Sequence, residues 1–223
     1  MKRFLALAYF APALIFATAP AYAASQPQTI LIGLDLSMSN PLVKDDAYAA
    51  RVGARIAQEL QALPLKSRVL VRTFGNYDSS ANALKVDQTI TTHAKPQNVA
   101  VAIATLISNV PKLVREKNLS AQGNTNIVPF LETMSEVVSC KGSQVKVILA
   151  TDGFEDSEYA TLTRYGGKLP MPKQTLYPGC KEMLILGLGT SAKSPAATKR
   201  LRAQWSQWAQ AAGFRKFTGL YDW

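Results

Sequence analysis

Apolar positions along this chain follow two alternating rhythms. Short unbroken runs appear at Thr29-Ile30-Leu31-Ile32-Gly33-Leu34, Arg68-Val69-Leu70-Val71-Arg72-Thr73-Phe74, Val145-Lys146-Val147-Ile148-Leu149-Ala150 and Met183-Leu184-Ile185-Leu186. They are rich in β-branched and aliphatic residues and read as buried strands. Between them apolar residues recur every three or four positions, the spacing of one helix face. Tyr48, Val52, Ile56 and Leu60 predict a helix over 42–60. Val99, Ile103, Leu106 and Val110 predict another from about Gln97, which Pro111 should kink or split. Ile127, Phe130, Leu131, Met134 and Val138 predict a third over 126–139. The last helix has the clearest limits: Ser194 as N-cap, Pro195 in the first turn, Gly213 as stop. Leu201, Trp205, Trp208 and Ala212 share its inner face, so the two Trp residues read as core. Residues 85–91 are polar and alternating, which suits an edge strand, and 214–218 predict a final one. Alternating strands and helices predict an α/β fold: a doubly wound, Rossmann-like, mostly parallel sheet with helices on both faces.

The ends of two of these strands carry chemistry. The first runs into Asp35-Leu36-Ser37-Met38-Ser39, which places one carboxylate and two hydroxyls at alternate positions. Three hard oxygen donors so close together suit a small hard cation such as Mg²⁺. The Val145 strand runs into Thr151-Asp152-Gly153, and between the two lies the polar turn Gly123-Asn124-Thr125-Asn126. Each residue also has an ordinary reading. Ser39 could cap a helix, Asp152-Gly153 is a common turn, and Thr125 or Asn126 could cap the helix that follows.

These three elements, in this order and in these strand and loop contexts, resemble the metal-ion-dependent adhesion site of von Willebrand factor A domains. The resemblance covers the chain from about Gln28 onward. It implies that the strands ending at Asp35 and Asp152 are neighbours flanking the point where strand order reverses, where such sheets bind ligands. It further implies that Ser37, Ser39 and Thr125 hold the ion directly, while Asp35 and Asp152 act largely through water and hydrogen bonds. Mg²⁺ is the expected ion, with Mn²⁺ or Ca²⁺ as substitutes. Neutral direct ligands leave the ion a strong pull on an Asp or Glu offered by a protein partner.

The first 23 residues read as a signal peptide: Lys2 and Arg3, a short Pro-interrupted apolar segment, and a small-x-small site at Ala21-Tyr22-Ala23. The alternative is an uncleaved N-terminal anchor. Residues 24–223 then form a single von Willebrand A-like domain, expected to be exported and soluble. Periplasmic placement is favoured over full secretion, since no surface-anchoring motif is visible. No later segment is long and apolar enough to span a bilayer. Formal charge is +10 over the whole chain and +8 after removal of Lys2 and Arg3. The positive charges are scattered apart from Lys199-Arg200-Leu201-Arg202 and Arg215-Lys216, which read mainly as solvated faces. An exported protein rarely meets nucleic acid, so that partner class is discounted. Cys140 and Cys180 are expected to form a disulfide, with two buried free thiols as the alternative.

Two further functions compete with metal-dependent protein binding. One is a Mg²⁺-dependent phosphohydrolase of the haloacid dehalogenase type. Asp35 would be its nucleophile, Thr73 a phosphate contact, and Asp152 with Asp156 its metal ligands. That chemistry wants a second Asp as general acid at position 37, where this chain has Ser37. The other is a structural subunit of an envelope assembly with a vestigial site. No enzymatic turnover is expected: His93 stands alone, with neither a triad nor a zinc cluster around it. The segment 154–179 departs from a compact crossover. Residues 157–164 suggest a short helix, Glu155, Asp156 and Glu158 form an acidic cluster, and Tyr159, Tyr165 and Tyr177 are candidate specificity contacts. The acidic cluster could add a second cation site or repel acidic ligands.

Overall fold

The computed structural model describes residues 25–76, 84–141, 143–158, 160–162 and 167–223. The expected signal peptide (residues 1–23), Tyr159 and Tyr165 lie outside the described residues. Six strands share one sheet: β1 (Gln28–Asp35), β2 (Arg68–Phe74), β3 (Lys85–Thr89), β4 (Gln144–Ala150), β5 (Glu182–Leu186) and β6 (Phe217–Leu220). Their order is β3-β2-β1-β4-β5-β6, with β3 antiparallel to β2 and every other pair parallel. Five helices cover the faces: α1 (Asp46–Leu60), α2 (Pro96–Ser108), α3 (Val110–Arg115), α4 (Ile127–Val137) and α5 (Pro195–Ala212).

The unbroken apolar runs exist because the central strands bury both faces. Side chains alternate between faces with a period of two. Ile30, Ile32 and Leu34 of β1, with Ile148 and Ala150 of β4, join a core with Val52, Ile56 and Ile103 of α1 and α2. Leu31, Val145, Val147 and Leu149 join the opposite core with Phe130 and Leu131 of α4 and Trp205 and Trp208 of α5. Both Trp residues are therefore packing residues.

Several elements differ locally from the sequence pattern. The helix expected over 42–60 is broken into a 3₁₀ turn (Pro41–Val43) and α1. Asp45 causes the break, because its carboxylate caps α1 by accepting from Tyr48 N at 2.9 Å. The helix from Gln97 splits at Asn109, and Pro111 sits in the first turn of α3, where its missing N–H costs nothing. The buried stripe of α2 runs through Val99, Ala100, Ile103 and Ile107, so Leu106 is only half-buried. The described part of the expected helix over 157–164 is instead a tight turn. Ser157 N donates to Ala160 O at 2.9 Å, and Asp156 pairs with Thr161 in an antiparallel bridge. The final edge strand, β6, starts three residues later and ends two residues later than expected.

The N-terminal end of the sheet is clamped in two ways. Cys140 and Cys180 form a disulfide (Cα–Cα 5.1 Å) just before the neighbouring strands β4 and β5. Lys146 of β4 lies between Glu59 of α1 (2.8 Å) and Glu182 of β5 (3.0 Å). A disulfide of this kind is a feature of proteins exported to oxidising compartments. Among the described residues no helix is long and apolar enough to cross a membrane. His93 is exposed.

Candidate metal centre

β1 and β4 lie side by side, with Leu34 opposite Ala150. From β1 the chain crosses to β2 on one side, and from β4 it crosses to β5 on the other. The reversal of strand order therefore falls between Asp35 and Thr151, where a crevice opens beyond the carboxyl ends of the strands. Asn40 spans it from below: its Nδ2 donates to Asp35 O at 3.2 Å and to Ala150 O at 3.1 Å.

Asp35 is fully buried, and both carboxylate oxygens are engaged. Oδ1 accepts from Ser37 N at 2.8 Å, and Oδ2 accepts from the Thr151 hydroxyl at 2.7 Å. The first bond curls the chain after β1 so that the Ser37 and Ser39 hydroxyls stand 3.2 Å apart. Ser37 is buried and Ser39 exposed, so the pair runs from the protein interior to its surface.

Backbone bridges bring in the other two loops. Ser37 pairs with Gln122 in a parallel bridge, where Met38 N donates to Gln122 O (2.9 Å) and Gln122 N to Leu36 O (2.8 Å). Gln122 Oε1 also accepts from Asn76 N. Thr125 pairs with Asp156 in an antiparallel bridge, with N–H···O bonds of 3.0 Å in both directions. Asp152 follows Thr151 directly, and its Oδ1 accepts from Phe154 N at 3.1 Å. Gly153 adopts φ +82°, and a Cβ there would lie 2.4 Å from Leu188 Cδ1, so only glycine fits this turn. Trp205 Nε1 braces the same turn through Gly153 O at 2.8 Å.

Ser39, Thr125 and Asp152 line one cavity of about 500 Å³, together with Glu155 and, at its rim, Met38 and Phe154. Ser37 and Asp35 adjoin it through the Ser37–Ser39 contact. All five sequence-predicted oxygen residues are thus gathered at one crevice. Tyr177 is a correction. It is buried, stacks on Phe214 with ring centroids 4.6 Å apart, and its hydroxyl donates to Leu131 O at 2.6 Å. Its apolar ring and one satisfied hydroxyl make it a core residue, not a specificity contact.

The electrostatics suit a cation. Burial and then the nearby Asp152 charge push the Asp35 carboxyl up to about 7, against the hydrogen bonds from Ser37 and Thr151. Burial, then Asp152 and Asp35, likewise push the Tyr48 hydroxyl up. Burial pushes the Glu155 carboxyl up to about 7, although the nearby Ser157 hydroxyl and the Val128 and Ile127 amides favour its ionised form. Among the described residues no Lys or Arg forms an ion pair with Asp35 or Glu155. Nor do three His, Cys, Asp or Glu side chains gather there as a metal cluster. The donor set is instead hydroxyls backed by carboxylates, which fits a hard, oxygen-seeking divalent ion and not a soft one.

Thr151, Asn40 and Gln122 are site residues that sequence reasoning missed, and Glu155 was named only as one of an acidic cluster that could add a second cation site. Thr151 stood inside the Thr-Asp-Gly triplet and Asn40 beside Ser39, so proximity was a usable signal. Gln122 acts through its backbone, and Glu155 reaches in from a later loop.

No protein-family model and no curated protein matches this chain. Among solved structures, it is similar to the conserved hypothetical protein BatB from Bacteroides thetaiotaomicron at 14% identity, over 88% of this chain and 91% of that one, with a TM-score of 0.46. It is also similar to the human COPII-coat protein Sec24c at 11% identity, over 89% of this chain and 30% of that one, with a TM-score of 0.37.

Proposed function

We propose that the crevice between β1 and β4 holds Mg²⁺, with Mn²⁺ or Ca²⁺ as substitutes, and that the protein is a von Willebrand factor A-type binding module. It would recognise an Asp or Glu of a protein partner without catalytic turnover. The observation that carries this reading is the Ser37–Ser39 hydroxyl pair, 3.2 Å apart beside a buried Asp35, with Thr125 and Asp152 at the same cavity. When bound, the ion supplies an exposed positive charge that a partner carboxylate can complete. Ser37, Ser39 and Thr125 would hold it through neutral oxygens. Asp35 and Asp152 orient those hydroxyls and balance charge without quenching the ion's pull. Met38, 60% exposed, offers the partner an apolar contact beside the polar centre. Export to the periplasm agrees with the disulfide and with the signal-like N-terminus.

The phosphohydrolase alternative asks Asp35 to attack a phosphate. Burial and two accepted hydrogen bonds leave that carboxylate no open approach, and the binding reading is preferred for that reason. The test is calorimetric titration with Mg²⁺, then capture of partners from the native envelope with Mg²⁺ or EDTA. Mg²⁺ binding that vanishes in Asp35→Ala, with chelator-sensitive capture, is expected. Equal binding in the variant refutes the site, and Asp35-dependent hydrolysis of a generic phosphate ester favours the enzyme.

A further inference from the structure

We infer that Glu155 is a further oxygen of this site and a positioning residue that ties the cation to the first turn of α4. The inference rests on the cation reading above and adds to it a residue outside the Asp-x-Ser-x-Ser, Thr125 and Asp152 set.

Glu155 is fully buried, yet it lines the cavity shared by Ser39, Thr125 and Asp152. Its two oxygens do different things. Oε2 accepts from Ile127 N at 2.8 Å and Val128 N at 2.9 Å, two of the free amides at the start of α4. Asn126, at the N-cap position, makes no side-chain cap and sends its Nδ2 to Gly75 O at 2.6 Å instead. Glu155 therefore takes over the capping role from a separate loop, and its negative charge suits the positive end of the helix dipole. Oε1 has no partner at hydrogen-bonding geometry, although the Ser157 hydroxyl lies near the carboxylate. A buried carboxylate oxygen left without a donor is strongly disfavoured. Capping alone does not explain it, since the cap uses only Oε2 and leaves Oε1 unpaired.

The second oxygen makes sense once the cavity is filled. A water held by a cation at Ser37, Ser39 and Thr125 is a strong donor, and Glu155 lines the cavity in which Oε1 would accept from it. The connection to α4 is short. Thr125, one of the hydroxyl donors, lies two residues before Ile127, and its backbone exchanges hydrogen bonds in both directions with Asp156, the residue after Glu155. Thr125, Glu155 and the first turn of α4 therefore form one hydrogen-bonded unit. This separates the members of the acidic cluster: Glu155 faces inward to the site, while Asp156 and Glu158 are exposed.

The test compares wild type, Glu155→Gln and Asp35→Ala by Mg²⁺ calorimetry, with backbone amide exchange followed by NMR. Gln keeps an acceptor for Ile127 N and Val128 N but removes the charge. Glu155→Gln should stay folded in EDTA and bind Mg²⁺ roughly 10–100-fold more weakly. In wild type, Mg²⁺ should slow exchange of the Ile127 and Val128 amides, and in Glu155→Gln that slowing should disappear at matched occupancy. Wild-type affinity in a folded Glu155→Gln overturns the inference. So does wild-type exchange at Ile127 and Val128 that ignores saturating Mg²⁺, a measurement that stands even if the variant does not fold. Wild type that binds no Mg²⁺ sinks the cation reading and this inference with it. Wild-type binding that is lost in Asp35→Ala but intact in Glu155→Gln sinks only the role of Glu155.

Discussion

Thr151 shows how much a single buried hydroxyl does here. Its Oγ1 donates to Asp35 Oδ2 and accepts from Gly153 N at 3.1 Å, so one atom fixes both the carboxylate and the turn that carries Asp152. Valine has the same shape without those bonds, and it leaves a buried N–H and a carboxylate oxygen unpaired. Thr151→Val should therefore lower stability by about 2 kcal/mol in urea denaturation without cation. It should also weaken Mg²⁺ binding roughly tenfold or more, because Asp35 loses its second anchor. Ser39→Ala is the contrasting variant. Ser39 is exposed, so stability should change by no more than about 0.5 kcal/mol while Mg²⁺ affinity falls. Equal Mg²⁺ affinity in both variants and wild type would show that these hydroxyls serve only the fold. Part of this was legible in the residues themselves. Asp35, Ser37 and Ser39 are close in sequence, and a strand ending in such a run signals its own chemistry. The acidic cluster was legible as a candidate cation site, but not which member turns inward, because nothing local distinguishes Glu155 from its exposed neighbours Asp156 and Glu158. Its burial is decided by α4, whose first residue lies 28 positions earlier.

Elements were legible where one local force dominates and were misjudged where two compete. The buried strands announced themselves, since a strand covered on both faces needs an unbroken apolar run. The break before α1 was hidden because the apolar period continues through Leu42 and Val43, which are buried on their own account in the 3₁₀ turn. Only the capping bond of Asp45 decides where α1 begins. Tyr177 was misjudged because a Pro-rich segment suggested an exposed loop, whereas α4 and Phe214 enclose it. The joint between α1, β4 and β5 carries an element-scale prediction. Lys146, 8% exposed, serves both Glu59 and Glu182. Burial alone would raise the Glu182 pKa, but hydrogen bonds from Lys216, Thr218 and Lys146 outweigh it and bring it down to about 2. A carboxyl whose folded pKa lies below its unfolded value of 4.5 contributes stability that is present above pH 4.5. That contribution is lost as pH falls from 4.5 toward 2. Lys146→Met leaves Glu59 with Arg55 and Glu182 with Lys216, so its expected cost at pH 7 is about 1–3 kcal/mol, below that of stripping a buried pair completely. The gap between wild type and variant should narrow through that acid window. Urea denaturation at pH 7 and pH 3 measures it, and a gap that stays constant would mean the network stabilises by packing alone.

At the scale of the molecule, the sheet has two ends with different tasks. The amino ends of β4 and β5 are held by the disulfide and the Lys146 network, while the carboxyl ends of β1 and β4 open onto the candidate metal centre. The 7 residues of β4 separate them by on the order of 20 Å at the rise of an extended strand. Cys140 and Cys180 lie 40 positions apart, so the bridge closes a long loop in the unfolded chain. In the chain-entropy account, losing it destabilises by about 4 kcal/mol. The double variant Cys140→Ser/Cys180→Ser should therefore melt well below wild type, and reductant should lower the wild-type melting temperature in the same direction. The crevice should be indifferent. Its residues are set by Asp35, Thr151, Gln122 and the Thr125–Asp156 bridge, none of which touches either cysteine, and the strands between are rigidly paired. At a temperature where the double variant is fully folded, its Mg²⁺ affinity should match wild type within about twofold, as distant independent sites do. Calorimetry on the two proteins, with melting curves alongside, separates the effects. An affinity that falls together with stability would show that the clamp at the amino ends sets the spacing of β1 and β4 at the crevice. The sheet would then transmit strain along its full length rather than keep its two ends apart.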